Sequence, residues 1–167
     1  MKIKFFLPLL MLIILASCVS GRINPKKIDK NAFPVGFSNL NSVLLLEQKS
    51  GMGSKPWNNR LNRYFTKYYN GKIEMASRQE ILNNSKYKDE TKYRYVLTDD
   101  VWSSGGTTTR TTTATGTSFE YNKAYRLDYR IYDLVEGKSY PTIGVSSNNF
   151  AKSMKRTAIV MNNQLHQ

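Results

Sequence analysis

The period of the apolar positions changes along this chain, and each change marks an element. Phe5 to Leu15 is apolar apart from Pro8, and Val19 to Phe37 then shows little periodicity and carries Gly21, Pro25, Pro34 and Gly36. The continuous apolar run Ser42 to Glu47 predicts a buried first strand. After a loop with Gly51 and Gly53, Pro56 suits a first helical turn, where its missing N–H is tolerated. Trp57, Leu61, Tyr64, Phe65 and Tyr68 follow at i, i+4, i+7, i+8 and i+11, one face of a helix that Gly71 ends. Lys72 to Ala76 reads as a short second strand. Ser77 and Glu80 have the spacing of a capping box opening a short second helix at Ile81 and Leu82.

From Lys92 the period is two: Tyr93, Tyr95, Leu97 and Val101 face one way, and Arg94, Val96, Thr98 and Asp100 the other, a third strand. Ser103 to Ser118, eight threonines broken by Gly105, Gly106, Arg110, Ala114 and Gly116, reads as a mobile Thr-rich loop. Tyr121 to Asp133 alternates Tyr125, Leu127, Tyr129 and Ile131 with Arg126, Asp128 and Arg130, a strand with one wet face. A turn at Gly137 leads to Ser139 to Val145, an edge strand by virtue of Pro141, expected to form a long hairpin with the strand before it. Asn148 or Asn149 caps a last helix through Phe150, Met154, Ala158, Met161 and Leu165, with Lys152, Lys155 and Arg156 opposite. The expected fold is therefore a single α/β (α+β) domain. It has a mixed, mostly antiparallel sheet of about five strands, two long helices and one short helix, in the order β-α-β-α-β-β-β-α.

The amino terminus adds an address. Lys2 and Lys4 precede the short apolar run, which is too short for a comfortable membrane span, and Leu15-Ala16-Ser17-Cys18 follows. This resembles the signal and lipobox of bacterial lipoproteins. The resemblance implies that residues 1–17 are removed, that Cys18 carries the lipid, and that Val19 rather than an acid after the cysteine directs the protein to the outer membrane, facing the periplasm. Residues 18–37 would then be a flexible tether and residues 38–167 the domain. Nineteen residues extend at up to roughly 3.3 Å each.

Charge narrows the partners. The chain has 25 Lys and Arg against 12 Asp and Glu; without Lys2 and Lys4 the balance is 23 minus 12, or +11. The basic residues are scattered, with no nucleic-acid tail. For an exported protein the expected partners are an envelope protein or an anionic cell-wall or lipid component, besides the membrane itself through the anchor.

Two stretches carry a further resemblance. Tyr93-Arg94-Tyr95-Val96-Leu97-Thr98, leading to Val101, is followed after a polar loop by Tyr125-Arg126-Leu127-Asp128-Tyr129-Arg130-Ile131-Tyr132-Asp133-Leu134-Val135-Glu136-Gly137-Lys138. The pattern resembles the fold group of the penicillin-binding-protein activator lipoproteins (LpoB), the curli secretion lipoproteins (CsgG) and the amino-terminal domain of TolB. It departs from that group at Asp99-Asp100, where glycine is frequent, and in lacking a tryptophan after the hairpin turn. The resemblance implies a docking domain or a subunit of an assembly or secretion complex.

Candidate chemistry is sparse. Cys18 is the only cysteine and His166 the only histidine, one residue from the end, so no Ser/His/Asp arrangement, thiolate site or zinc site is expected and no cofactor is implied. Gly105-Gly106 lacks the Gly-Lys-Thr ending of a phosphate loop. Asp99 and Asp100, with Glu120 across the loop, are the best carboxylate constellation for an enzyme acting on cell wall or glycan, but neighbours on a strand point to opposite faces. Asp128 reads as a cross-strand partner of Arg94 or Arg126. Most of the 11 tyrosines fall at core spacing, among them Tyr64, Tyr68, Tyr93, Tyr95, Tyr125 and Tyr129; Tyr69, Tyr87, Tyr132 and Trp102 do not. The reading that follows is a non-enzymatic binding or adaptor module whose contact residues are Arg94, Trp102, Arg126 and Arg130.

Overall fold

The computed structural model describes residues 28–38, 41–113 and 116–166. The signal segment, the lipobox and Cys18 lie outside them. Five strands form one sheet: β1 (Val43–Gln48), β2 (Lys72–Ser77), β3 (Tyr95–Thr113), β4 (Gly116–Asp133) and β5 (Lys138–Ser139), in the order β2-β1-β3-β4-β5. The helices are α1 (Ser54–Tyr68), α2 (Arg78–Asn83) and α3 (Phe150–Gln164). Element order and class are those the periodicity predicts. β1 pairs parallel with both β2 and β3, while β3–β4 and β4–β5 are antiparallel.

The apolar run of β1 is explained by its neighbours, since a strand paired on both edges and covered on both faces has no wet side. Leu44 and Leu46, with Tyr95, Leu97, Leu127, Tyr129 and Ile131, face Leu61 and Phe65 of α1 and Met154, Ala158 and Met161 of α3. Trp57 meets Phe150 edge-on at 5.4 Å near the helix starts, and the Asn70 N–H donates to Asn162 near their ends. The two helices therefore run side by side in the same direction. Val43, Leu45 and Val96 face the other way, into a smaller cluster with Ala76, Ile81, Tyr87 and Tyr93. The capping box holds α2 over that cluster: the Glu80 N–H donates to Ser77 Oγ, and the Ser77 N–H to the Glu80 carboxylate at 2.7 Å.

Several expectations change. The second face is wet only in part, because α2 and the 3₁₀ turn Ser85–Lys88 cover its β2-β1-β3 half. Tyr93 precedes the strand and joins this second cluster rather than the face of Tyr95. Tyr69 and Tyr87, unassigned by spacing, are buried, whereas Tyr125 is half exposed.

The long hairpin is β3–β4, and the Thr-rich segment lies within it as strand rather than as an unpaired loop. After a register shift between Ser103 and Gly106, the ladder runs from Gly106↔Lys123 to Thr113↔Gly116. Threonine is β-branched and favours extended backbone, so low complexity there does not mean lack of pairing. The strand expected over residues 139–145 shrinks to the two residues of β5. Beyond it, isolated bonds continue from Tyr140 N–H to Ile131 and from Ile143 N–H to Tyr129, around a proline with no N–H.

The last part of the expected tether also differs. Within residues 28–38, Ala32 and Phe37 are buried in the main cluster, and Phe37 packs on Tyr95 at 5.4 Å. This part of the chain belongs to the body.

Candidate functional site: the open sheet face and the hairpin root

Where α2 stops covering the second sheet face, a groove of about 800 Å³ opens, lined by Glu47, Arg78, Leu82, Thr98, Asp99, Asp100, Arg130 and Tyr132 among others. Each wall follows from a local rule. Glu47 closes the apolar run of β1 and faces Arg78 of α2 at 3.4 Å. Burial pushes the Glu47 carboxyl up, Arg78 draws it down, and Asp99 adds to the rise. On β3, Asp99 is held by Lys49 at 2.7 Å, and Lys49 also lies over the Trp57 ring at 4.1 Å. Asn58 fixes the Lys49 backbone with a pair of 3.0 Å hydrogen bonds, accepting from its N–H and donating to its carbonyl.

Two of the three arginines expected at the contact surface are ion-paired. Arg94 donates to the buried Asp133 carboxylate and to Glu136 at 3.1 Å, and Arg130 is paired with Asp100. Asp128 pairs with neither Arg94 nor Arg126. Its buried carboxylate accepts from the backbone N–H of Tyr129 at 2.8 Å and of Gly144 at 3.1 Å. Gly144 takes φ +83°, a conformation side chains rarely adopt. Burial raises the Asp128 carboxyl, and these N–H groups offset part of the rise.

Two rungs beyond Asp100↔Asp128, and so still on this face by strand alternation, the register sets Trp102 opposite Arg126. The guanidinium lies 5.8 Å from the indole, and Trp102 is 42% exposed. Val101 and Tyr125, also partly exposed, lie on the adjacent rungs and so on the other face of the sheet, immediately before the register shift that starts the outer hairpin. Of the four expected contact residues, Trp102 and Arg126 thus come together on the surface, and Arg94 and Arg130 turn inward to acids.

The expected carboxylate constellation does not assemble. Asp99 and Asp100 are paired with separate cations on opposite faces, and Glu120 has Thr109 as its register partner. Ten rungs separate Thr109 from Asp99, on the order of 30 Å along the strand. Among the described residues no group of three or more His, Cys, Asp or Glu could hold a metal ion, and no helix is long and apolar enough to cross a membrane.

Glu47, Arg78 and Leu82 escaped the sequence reading. Their signals were there: a carboxylate ending an apolar strand, a cation inside a capping box, and a leucine next to the one buried position of a short helix. The groove and hairpin root set an indole and a guanidinium beside a mixed-charge cleft. No protein-family model matches the chain, and a search of curated proteins finds no relative.

Proposed function

We propose that this chain is a lipid-anchored, non-enzymatic docking module of the bacterial envelope, tethered to the outer membrane through Cys18 and facing the periplasm. Its partner is an envelope protein that seats on Trp102 and Arg126. The observation that carries this reading is the exposed Trp102–Arg126 pair at the mouth of the groove. Tryptophan and arginine are among the residues that supply most of the energy in protein interfaces, and here the two meet where the hairpin leaves the body. Lipid attachment would set the height and orientation of the domain, and the site would provide the specificity.

The test is crosslinking in membranes followed by affinity purification with wild type, Trp102→Ala and Arg126→Glu. Truncating an anchor residue of this kind costs about 2 kcal/mol or more of binding, so recovery of the main partner should fall by at least about tenfold in each variant. Equal recovery from all three would remove the site.

A second reading, a subunit of an assembly or secretion complex, draws on the length of the outer hairpin. Its ladder continues for eight rungs beyond the register shift, close to the nine to eleven residues of a tilted membrane-spanning strand. Crosslinking of the full chain in membranes should then yield a ladder above the dimer. Monomers and dimers alone would exclude it.

A further inference from the structure

Helix α1 carries Lys55, Arg60, Arg63 and Lys67, helix α3 carries Lys152, Lys155 and Arg156, and neither contains an Asp or Glu. Among the described residues none of the ion pairs reaches either helix; all lie on the strands, on α2, or in the loops and turns between them. Positive charge on the helical layer is therefore uncompensated, while the sheet balances its own.

The arrangement on α1 works against the helix itself. Arg60, Arg63 and Lys67 stand at i, i+3 and i+7, one exposed stripe of like charges, a spacing that weakens a helix. An external anion would relieve that repulsion. Between the charges lie two half-buried tyrosines, Tyr64 and Tyr68, stacked with centroids 6.2 Å apart. Arg63 lies 5.4 Å from the Tyr64 ring, and Lys67 and Lys155 lie 5.4 and 5.1 Å from that of Tyr68. Rings with an apolar body and a polar tip, flanked by cations, suit the boundary between water and lipid headgroups.

The start of the described chain points the same way. Ile28, Ala32, Phe33 and Phe37 pack into the cluster that α1 and α3 cover, so the chain leading back to Cys18 leaves from the helical side of the sheet. Nine residues, and so ten peptide steps reaching at most about 35 Å, separate Cys18 from Ile28.

We propose that the α1–α3 face is a docking surface for an anionic lipid bilayer. Arg60, Arg63, Lys67 and Lys155 donate to headgroup phosphates, and Tyr64 and Tyr68 rest at headgroup level. The proposal rests on the lipid anchor of the preceding reading, because a tethered domain meets the bilayer at high effective concentration. It adds an orientation: with the helices on the membrane, the groove and Trp102, on the opposite sheet face, turn away from the bilayer toward a partner.

The experiment uses the full chain with vesicles of phosphatidylcholine alone or with about a third phosphatidylglycerol, a composition that gives the surface a negative potential. Lysine acylation is read residue by residue by mass spectrometry. Labelling of Lys67 and Lys155 should fall about fivefold or more on the anionic vesicles and recover at high salt, with Lys138 on the sheet edge unchanged. The double variant Arg60→Glu, Arg63→Glu should lose this protection. Equal labelling of Lys67 and Lys155 on both vesicle types, protection that includes Lys138, or protection that survives in the double variant would each overturn the proposal. Flotation on neutral vesicles scores the anchor separately. A chain that does not float there yet is protected on anionic vesicles refutes the anchor and keeps the face.

Discussion

Phe65→Ala should destabilise the domain by about 4 kcal/mol, toward the upper end for truncating a buried side chain. Phe65 is fully buried on α1, at the point where that helix meets the sheet, and packs against Tyr69 at 6.0 Å in the cluster with Leu44, Leu46, Met154 and Met161. Two losses combine, the transfer free energy of the ring and the unfilled cavity it leaves. The β1 side of that cavity cannot collapse, because β1 is paired on both edges and packed on its other face by the second cluster. A domain of this size has about 5–15 kcal/mol to lose, so the melting temperature should drop by roughly 10 °C. Differential scanning calorimetry measures it; a shift below about 3 °C would mean that α1 is not anchored where the structure puts it.

Arg94→Ala should cost about 3 kcal/mol at neutral pH, near the lower end for breaking a buried pair because Arg94 keeps 31% of its side chain exposed. What makes the change severe is the partner left behind. Asp133 has no exposed surface and accepts from Arg94 as well as from the N–H groups of Val135 and Glu136 at 2.9 and 3.2 Å. Burial would raise this carboxyl, but the Arg94 hydrogen bond and the two N–H groups outweigh it and hold it below its ordinary value of 3.8.

A carboxylate depressed in the folded state contributes stability that is complete above the unfolded value and disappears as pH falls through the folded one. The cost of Arg94→Ala should therefore be greatest at pH 7 and shrink below about pH 4, as Asp133 is protonated and no longer needs a counter-ion. Urea titrations of wild type and variant across that range check it. A cost that stays the same at acid pH, or that is below about 1 kcal/mol at pH 7, would show an ordinary surface pair instead.

The sequence reading of this arginine shows where local patterns stop. Arg94 was legible as a residue on the far face of a strand, and that placement invites a free basic surface. Its real partners are 39 and 42 residues away, at the end of β4 and in the turn after it. Only the register Tyr95↔Asp133 brings them within reach. Arg130 follows the same course with Asp100. Trp102 and Arg126 remained at the surface for the complementary reason: their rung lies close to the register shift that starts the outer hairpin, and Trp102 there is 42% exposed.

The Thr-rich segment fails differently. Its composition lacks the apolar alternation that marks a half-buried strand. Pairing there comes from the backbone of the partner strand and from threonine's preference for extended conformations.

Sequence by itself was sufficient for whatever is decided within one or two turns of chain. That includes the apolar faces of α1 and α3, the Ser77–Glu80 capping box, an asparagine cap at 148 or 149, the buried run of β1 and the order of the elements. Caps and periodicities act through neighbours a few residues apart, so they can be read without knowing the fold. Only the tertiary structure decided which sheet face each helix covers, which arginines are neutralised, that residues 28–38 join the core, and that α1 and α3 place their unpaired cations side by side. Those outcomes depend on strand register and on contacts between residues far apart in the chain.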